Sequence, residues 1–290
     1  MFRILKIGAP LLVCLFFSGC FSADLTLKVN PDGSGVLVEK MALQKQFLEQ
    51  MQQMMQAVVP AAGKGAKRAS TGFGEVFTEE QARKRAGSYG PGVEMVSARK
   101  FSSETAEGME TVYSFKDISQ LRLNAKPDQM IPGAPAQMKG PAPAGMPQTM
   151  RFQRLPNGNA LLTLTVPWEK MESAKKQERA AATAEIPDKD QPSPEQLAQA
   201  MQMFKGMRLS LAVEPQGRMV NTNSPYVAGN RVTLFEMDMG EMLGAAADPA
   251  ALTRMMSNPP ANAADARKLL EQFKGVKVCL DPEIRIEFAQ

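Results

Sequence analysis

Three cysteines, 21 methionines and no histidine bound the chemistry open to this chain. Without histidine there is no Ser-His-Asp triad, no Cys-His dyad and no histidine-ligated metal site. Soft thioethers suit Cu(I). The spacings Met51-x-x-Met54-Met55, Met201-x-Met203 and Met237-x-Met239-x-x-Met242 would offer them. The same stretches are helix-forming, and methionine also fills irregular helical interfaces, so packing is the competing reading. Two acids can hydrolyse without histidine. The adjacent carboxylates are Glu79-Glu80, Asp188/Asp190 and Asp238/Glu241. All sit at helix starts or in polar loops, where acids favour the macrodipole and solvent. Ser34 lies in a glycine turn with no base to activate it. The glycines near Lys64 do not make a phosphate-binding loop. Cys279 alternates with Lys277 on one strand face, and a nearby lysine lowers a thiol pKa; the plain alternative is a covered small apolar residue.

Cys20 is where the sequence implies chemistry most directly. Residues 1–6 carry Arg3 and Lys6 and no acid, and residues 7–17 are almost wholly apolar. A basic start, a short apolar run and a small-residue exit form a secretory signal. The run is shorter than the roughly 20 residues that span a bilayer core, so it is no permanent anchor. Phe17-Ser18-Gly19-Cys20 resembles the lipobox of bacterial lipoproteins, with Phe17 where the family usually has Leu. The resemblance implies diacylglyceryl transfer to the Cys20 thiol, cleavage before Cys20 and acylation of the new amine. Two or more acyl chains hold a protein stably to a membrane where one does not. Phe21-Ser22 follows without an Asp, which by the same resemblance favours the periplasmic face of the outer membrane over the inner membrane.

The cysteine count then resolves. Cys14 leaves with the leader, Cys20 is lipidated and Cys279 stands alone, so no internal disulfide is expected. The 290 residues carry a formal charge of +4, and losing Arg3 and Lys6 takes this to +2. A near-neutral mature chain gives no argument for nucleic acid. Basic runs at Lys64-Lys67-Arg68 and Arg83-Lys84-Arg85 read as solvated surface, with anionic headgroups as the alternative.

The elements that must position these residues are mostly hairpins. Asp24 to Val29 alternates apolar and polar, Asn30-Pro31-Asp32-Gly33 is a strong turn, and Val36 to Leu43 returns. Gln44 to Val59 switches to helical spacing through Phe47, Leu48, Met51, Met54, Met55 and Val58. Thr78 reads as an N-cap with Gln81 three residues on. Gly92 to Phe101 and Glu110 to Lys116 form a second hairpin, with Val93, Met95, Tyr113 and Phe115 inward. Asp117 caps a short helical turn. Residues 125–149 contain Pro127, Pro132, Pro135, Pro141, Pro143 and Pro147 and read as a flexible excursion. A third hairpin turns at Pro156-Asn157-Gly158-Asn159. Ser193-Pro194-Glu195 opens a helix through Lys205. Strands are expected over 207–214, 219–221, 231–238, 276–280 and 283–288, and helices over 240–243, 249–256 and 263–273. Val112 to Leu121 and Val232 to Leu243 share a strand–Asp–short-helix pattern.

Hairpins interleaved with helices predict an α+β fold: an antiparallel or mixed sheet with amphipathic helices packed on one face. The expected organisation is a signal peptide over 1–19, a lipidated tether over 20–23 and one domain over 24–290. Asp32-Gly33-Ser34-Gly35, the strand–helix–strand order and Cys20 together resemble the LppM-like domain of bacterial lipoproteins over about the first 120 residues. That family brings no established activity. The expected function is a membrane-anchored, non-enzymatic binding or structural role at the cell envelope, with no cofactor and no metal. The partners are the membrane, through Cys20, and an envelope protein or lipid. Two alternatives stand beside it: a hydrophobic-ligand carrier with a Met-rich groove, and a His-free hydrolase.

Overall fold

The computed structural model describes residues 21–46, 49, 77–123, 149–166, 206–242, 263–270 and 272–290. The leader with Cys20, the helices expected over 193–205 and 249–256, and nearly all of the helix expected over 44–59 and of the proline-rich stretch lie outside these residues.

The strands are β1 (Phe21–Val29), β2 (Gly35–Gln44), β3 (Glu94–Ser102), β4 (Ala106–Phe115), β5 (Thr149–Arg154), β6 (Ala160–Thr165), β7 (Arg208–Pro215), β8 (Arg218–Thr222), β9 (Val227–Ala228), β10 (Arg231–Asp238), β11 (Val276–Val278) and β12 (Glu283–Ala289). The helices are α1 (Glu79–Ser88), α2 (Met239–Met242) and α3 (Ala263–Leu270), with a 3-10 turn at Ile118–Gln120. One sheet runs β11-β10-β7-β1-β2-β4-β3, with β9 beside β10. All its neighbours are antiparallel except β1 and β7, which run parallel. The second sheet runs β5-β6-β12-β8 and is wholly antiparallel.

The expected α+β class is corrected. Among the described residues 54% are strand and 16% helix, so the fold is mainly β and built on two sheets. The periodicity of two found the strands, but the cover over the first sheet was misassigned. Leu27, Leu37, Tyr113 and Leu211 of the first sheet join one core with Leu162, Leu164, Ile284, Ile286 and Phe288 of the second. A second sheet supplies apolar surface that the prediction gave to helices. Of α1, only Ala82 and Ala86 are buried. A smaller cluster forms where Met242 packs with Phe273.

The local chemistry of the turns holds. Gly33 takes φ +88°, and Asp32 Oδ1 accepts from the Ser34 amide at 2.9 Å and its hydroxyl at 2.6 Å. Gly158 takes φ +83° in the third hairpin. Thr78 Oγ1 accepts from the Gln81 amide at 3.2 Å, as an N-cap should. Asp117 and Asp238 cap the 3-10 turn and α2 in the same way. The two strand–Asp–helix units run in opposite directions, so they end at opposite ends of the large sheet.

The two faces of that sheet differ sharply. One is the core. On the other, Arg99, Glu110, Lys40, Asp24, Ser210, Glu236 and Lys277 lie in register across seven strands. The signs nearly alternate and sum to zero. Arg99 meets Glu110 at 3.2 Å, the Ser210 hydroxyl donates to Asp24 at 2.5 Å, and Lys277 meets Glu236 at 2.9 Å. Opposite charges directly across a sheet are mutually stabilising.

Candidate functional site: a carboxylate buried beneath α1

Glu39 is the chemically unusual residue of the described structure. It lies on β2 between Leu37 and Met41, in the inward phase, and is only 3% exposed. A buried carboxylate is costly unless paired and hydrogen-bonded. Here Arg85 Nε donates to Oε2 at 3.1 Å, the Tyr113 hydroxyl donates to Oε2 at 3.1 Å, and the Tyr89 hydroxyl donates to Oε1 at 2.7 Å. The Tyr113 hydroxyl also lies 3.2 Å from the Ala82 carbonyl, and the Tyr89 and Tyr113 rings meet edge-on at 5.1 Å. Three elements meet at this one carboxylate: β2 supplies the acid, β4 supplies Tyr113, and α1 with its C-cap supplies Arg85 and Tyr89.

The electrostatics follow from burial and charge. Desolvation pushes both phenols up, Tyr89 well above its ordinary value, and the Glu39 carboxylate adds to this. Both therefore stay protonated donors. Burial is the largest single influence on Arg85 and would lower its pKa, but Glu39 together with Tyr113 and Tyr89 holds the guanidinium above its usual value. Two buried polar atoms beside the carboxylate, Arg85 Nη2 and Thr111 Oγ1, have no hydrogen-bond partner among the described residues. A carboxylate enclosed and saturated by three donors is poorly placed to take a proton from a substrate. Its evident work is to clip a helix with almost no apolar anchor onto the sheet.

This cluster was missed in the sequence, yet two signals pointed to it. Glu39 occupies an apolar phase in Leu37-x-Glu39-x-Met41-x-Leu43. Arg85 shares a helical face with Ala82, Ala86 and Tyr89. The Arg83-Lys84-Arg85 run is therefore not all solvated surface. Arg83 and Lys84 pair with Glu79 and Glu80 at 2.7 and 2.8 Å on the exposed side, whereas Arg85 turns inward.

The other candidates disperse. Glu79 and Glu80 are held in those helix pairs, and Asp238 caps α2 by accepting from the Glu241 amide at 3.1 Å. Asp188 and Asp190 lie outside the described residues. No group of three potential metal-ligating acids or thiols occurs among the described residues. Met237 packs against the main core, while Met239 and Met242 join Phe273, so that motif is divided between two packing clusters. Met51, Met54, Met55, Met201 and Met203 fall outside the described residues.

Cys279 lies just past β11 and is fully buried, with Ser224 Oγ at 3.2 Å from its sulfur. Burial pushes the thiol pKa up. Lys277 is exposed and turned to Glu236, so the expected Cys–Lys face does not form. The alternation fails because Val278, Cys279 and Leu280 are all buried in sequence as the chain passes between sheets.

No family model and no curated protein matches the chain. Among solved structures, the NMR structure of the Mycobacterium tuberculosis LppM folded domain aligns over 78% of this chain and 88% of that one, at 13% identity. The TM-score is 0.27, a likeness too loose to carry an argument about fold or function.

Proposed function

We propose that this chain is a lipoprotein of the bacterial cell envelope, anchored through Cys20, that works by binding or by a structural role. The observation that carries the reading is the junction between lipobox and fold. Phe17-Ser18-Gly19-Cys20 ends where β1 begins, at Phe21 rather than at the expected Asp24. Phe21 is 5% exposed and paired with Leu43, so cleavage before Cys20 would leave the core intact. Of the acids weighed for hydrolysis, Glu79 and Glu80 are engaged in helix pairs and Asp238 in a helix cap. No helix among the described residues is long and apolar enough to cross a membrane. The anchor is then the lipid itself, and the leaflet favoured by Phe21-Ser22 is the periplasmic face of the outer membrane. An envelope protein or lipid is the partner class.

Cells expressing the wild type and Cys20→Ser are to be fractionated after a salt wash. The wild type should stay with the membranes and the variant should move to the soluble fraction. A variant that remains membrane-bound sinks the reading.

A further inference from the structure

The point at which β1 starts determines more than attachment. Phe21 opens β1 at the edge of the sheet, and Cys20 precedes it in the chain by a single peptide bond, about 3.8 Å between adjacent Cα atoms. β1 is also the middle strand of the seven, hydrogen-bonded to β2 on one side and β7 on the other. Ser22 already pairs with both Ala42 and Arg208. Lengthening the tether would mean unzipping two ladders at once and exposing Phe21 and Ala23, which are 5% and 0% exposed. No spacer is available from the described chain.

Register identifies what shares that edge. It holds the ends of β2 and β10, the starts of β7 and β11, and the turn between β3 and β4. Backbone bonds lace these into a continuous rim: Lys45 to Thr105 at 2.9 Å, Met239 to Met207 at 2.9 Å, and Asp238 to Gly275 at 2.7 Å. The Lys45 ammonium donates to the Ser103 carbonyl at 2.7 Å. The opposite edge carries the Asn30–Ser34 turn and the Pro215–Gly217 turn, where the Gln216 amide donates to the Val29 carbonyl at 2.7 Å. Nine strand residues separate the edges, about 30 Å at some 3.3 Å per residue.

We infer that this rim is the membrane-facing surface, and that the large sheet stands end-on with its strands running away from the bilayer. The inference rests on the lipid at Cys20 proposed above. The partner is the phospholipid headgroup layer. The alternative is a sheet lying flat on its outer face, and the charge row argues against it. Its three cations and three anions cancel, so that row offers anionic headgroups no net attraction, and it offers acyl chains no apolar contact. The end-on pose keeps the row away from the bilayer and places the distal turns about 30 Å from it.

The test uses the chain from Cys20 to Gln290, coupled through the Cys20 thiol to a maleimide phospholipid in phosphatidylcholine nanodiscs. Cys279 is buried and does not compete. Coupling supplies the anchor chemically, so the result is independent of whether cells lipidate Cys20, which the fractionation experiment decides. With methyl-labelled methionine and a gadolinium-chelating lipid, the Met207 and Met239 methyl signals should be lost while those of Met95 and Met219 remain. Met95 pairs with Tyr113, and Met219 accompanies Asn230, both toward the distal edge. Equal loss at all four, or preferential loss at Met95 and Met219, overturns the end-on pose. Uncoupled protein with the same nanodiscs should show no preferential loss.

Discussion

At the scale of single residues the Glu39 cluster makes two quantitative demands. Removing one partner of a buried ion pair leaves a charge uncompensated and costs about 3–5 kcal/mol. Arg85→Met should therefore destabilise the protein by about that amount, since Glu39 would keep only phenolic donors. Adding Glu39→Gln should recover part of the loss, because no buried charge then remains. Urea unfolding of the wild type, both single variants and the double variant measures this coupling. A loss below about 1 kcal/mol for Arg85→Met would mean that the pair does not hold α1. The tyrosines make the second demand. Their folded pKa values are raised above the ordinary 10.0, so the folded state keeps protons that the unfolded state releases. The stability this gives is fully present below about pH 10 and is lost as pH rises toward the folded values. Melting temperature should fall above pH 10, and Tyr89→Phe should make that alkaline fall shallower while lowering stability at neutral pH. An unchanged alkaline slope in Tyr89→Phe would remove Tyr89 from this account. Both residues of the ion pair were visible in the sequence as charges at inward phases. What the sequence does not show is that two such positions, 46 apart in the chain, face each other.

Elements were legible in proportion to how local their causes are. The hairpin turns announce themselves because Pro31, Gly33 and Gly158 impose backbone angles irrespective of the rest of the chain. The Thr78 cap is equally local, and it supports a helix that buries only Ala82 and Ala86. Thr78→Ala should cost about 1 kcal/mol. Because the helix is held chiefly by polar contacts, that loss should be felt as local opening rather than global unfolding. Amide exchange at Ala82 to Ala86 should accelerate about fivefold, the factor that 1 kcal/mol implies, while exchange in β1 stays unchanged. Uniform acceleration across both elements would show that α1 is no separate unit. The pairing of β1 with β7 was not legible. Asp24 and Ser210 are 186 positions apart, and neither strand carries a signal that selects a parallel partner over an antiparallel one. Alternation assigns a strand its two faces and is silent about its neighbours.

For the whole molecule, the same silence explains why two sheets were read as one. β5 and β6 follow β1 to β4 of the first sheet in sequence, but they pair with each other and then with β12, at the far end of the chain. The second sheet is thus incomplete until the last strand enters between β6 and β8. β12 places Ile284, Ile286 and Phe288 in the core at 1%, 0% and 0% exposure. It supplies backbone partners to two strands at once, and its loss would leave β6 and β8 with open edges over an uncovered apolar face. Such edges invite pairing between chains. Both sheets share one core, so the damage should not stay local. Deleting residues 283–290 should therefore abolish the folded state, giving aggregated protein without a cooperative thermal transition. Deleting Gln290 alone, which lies beyond β12, should leave the transition where it was. A soluble, cooperatively melting 283–290 deletion would mean that the first sheet closes its core without the second. The architecture predicts the opposite, because β7 and β11 each lead directly into a strand of the second sheet and cannot be separated from it without breaking the chain's own crossings.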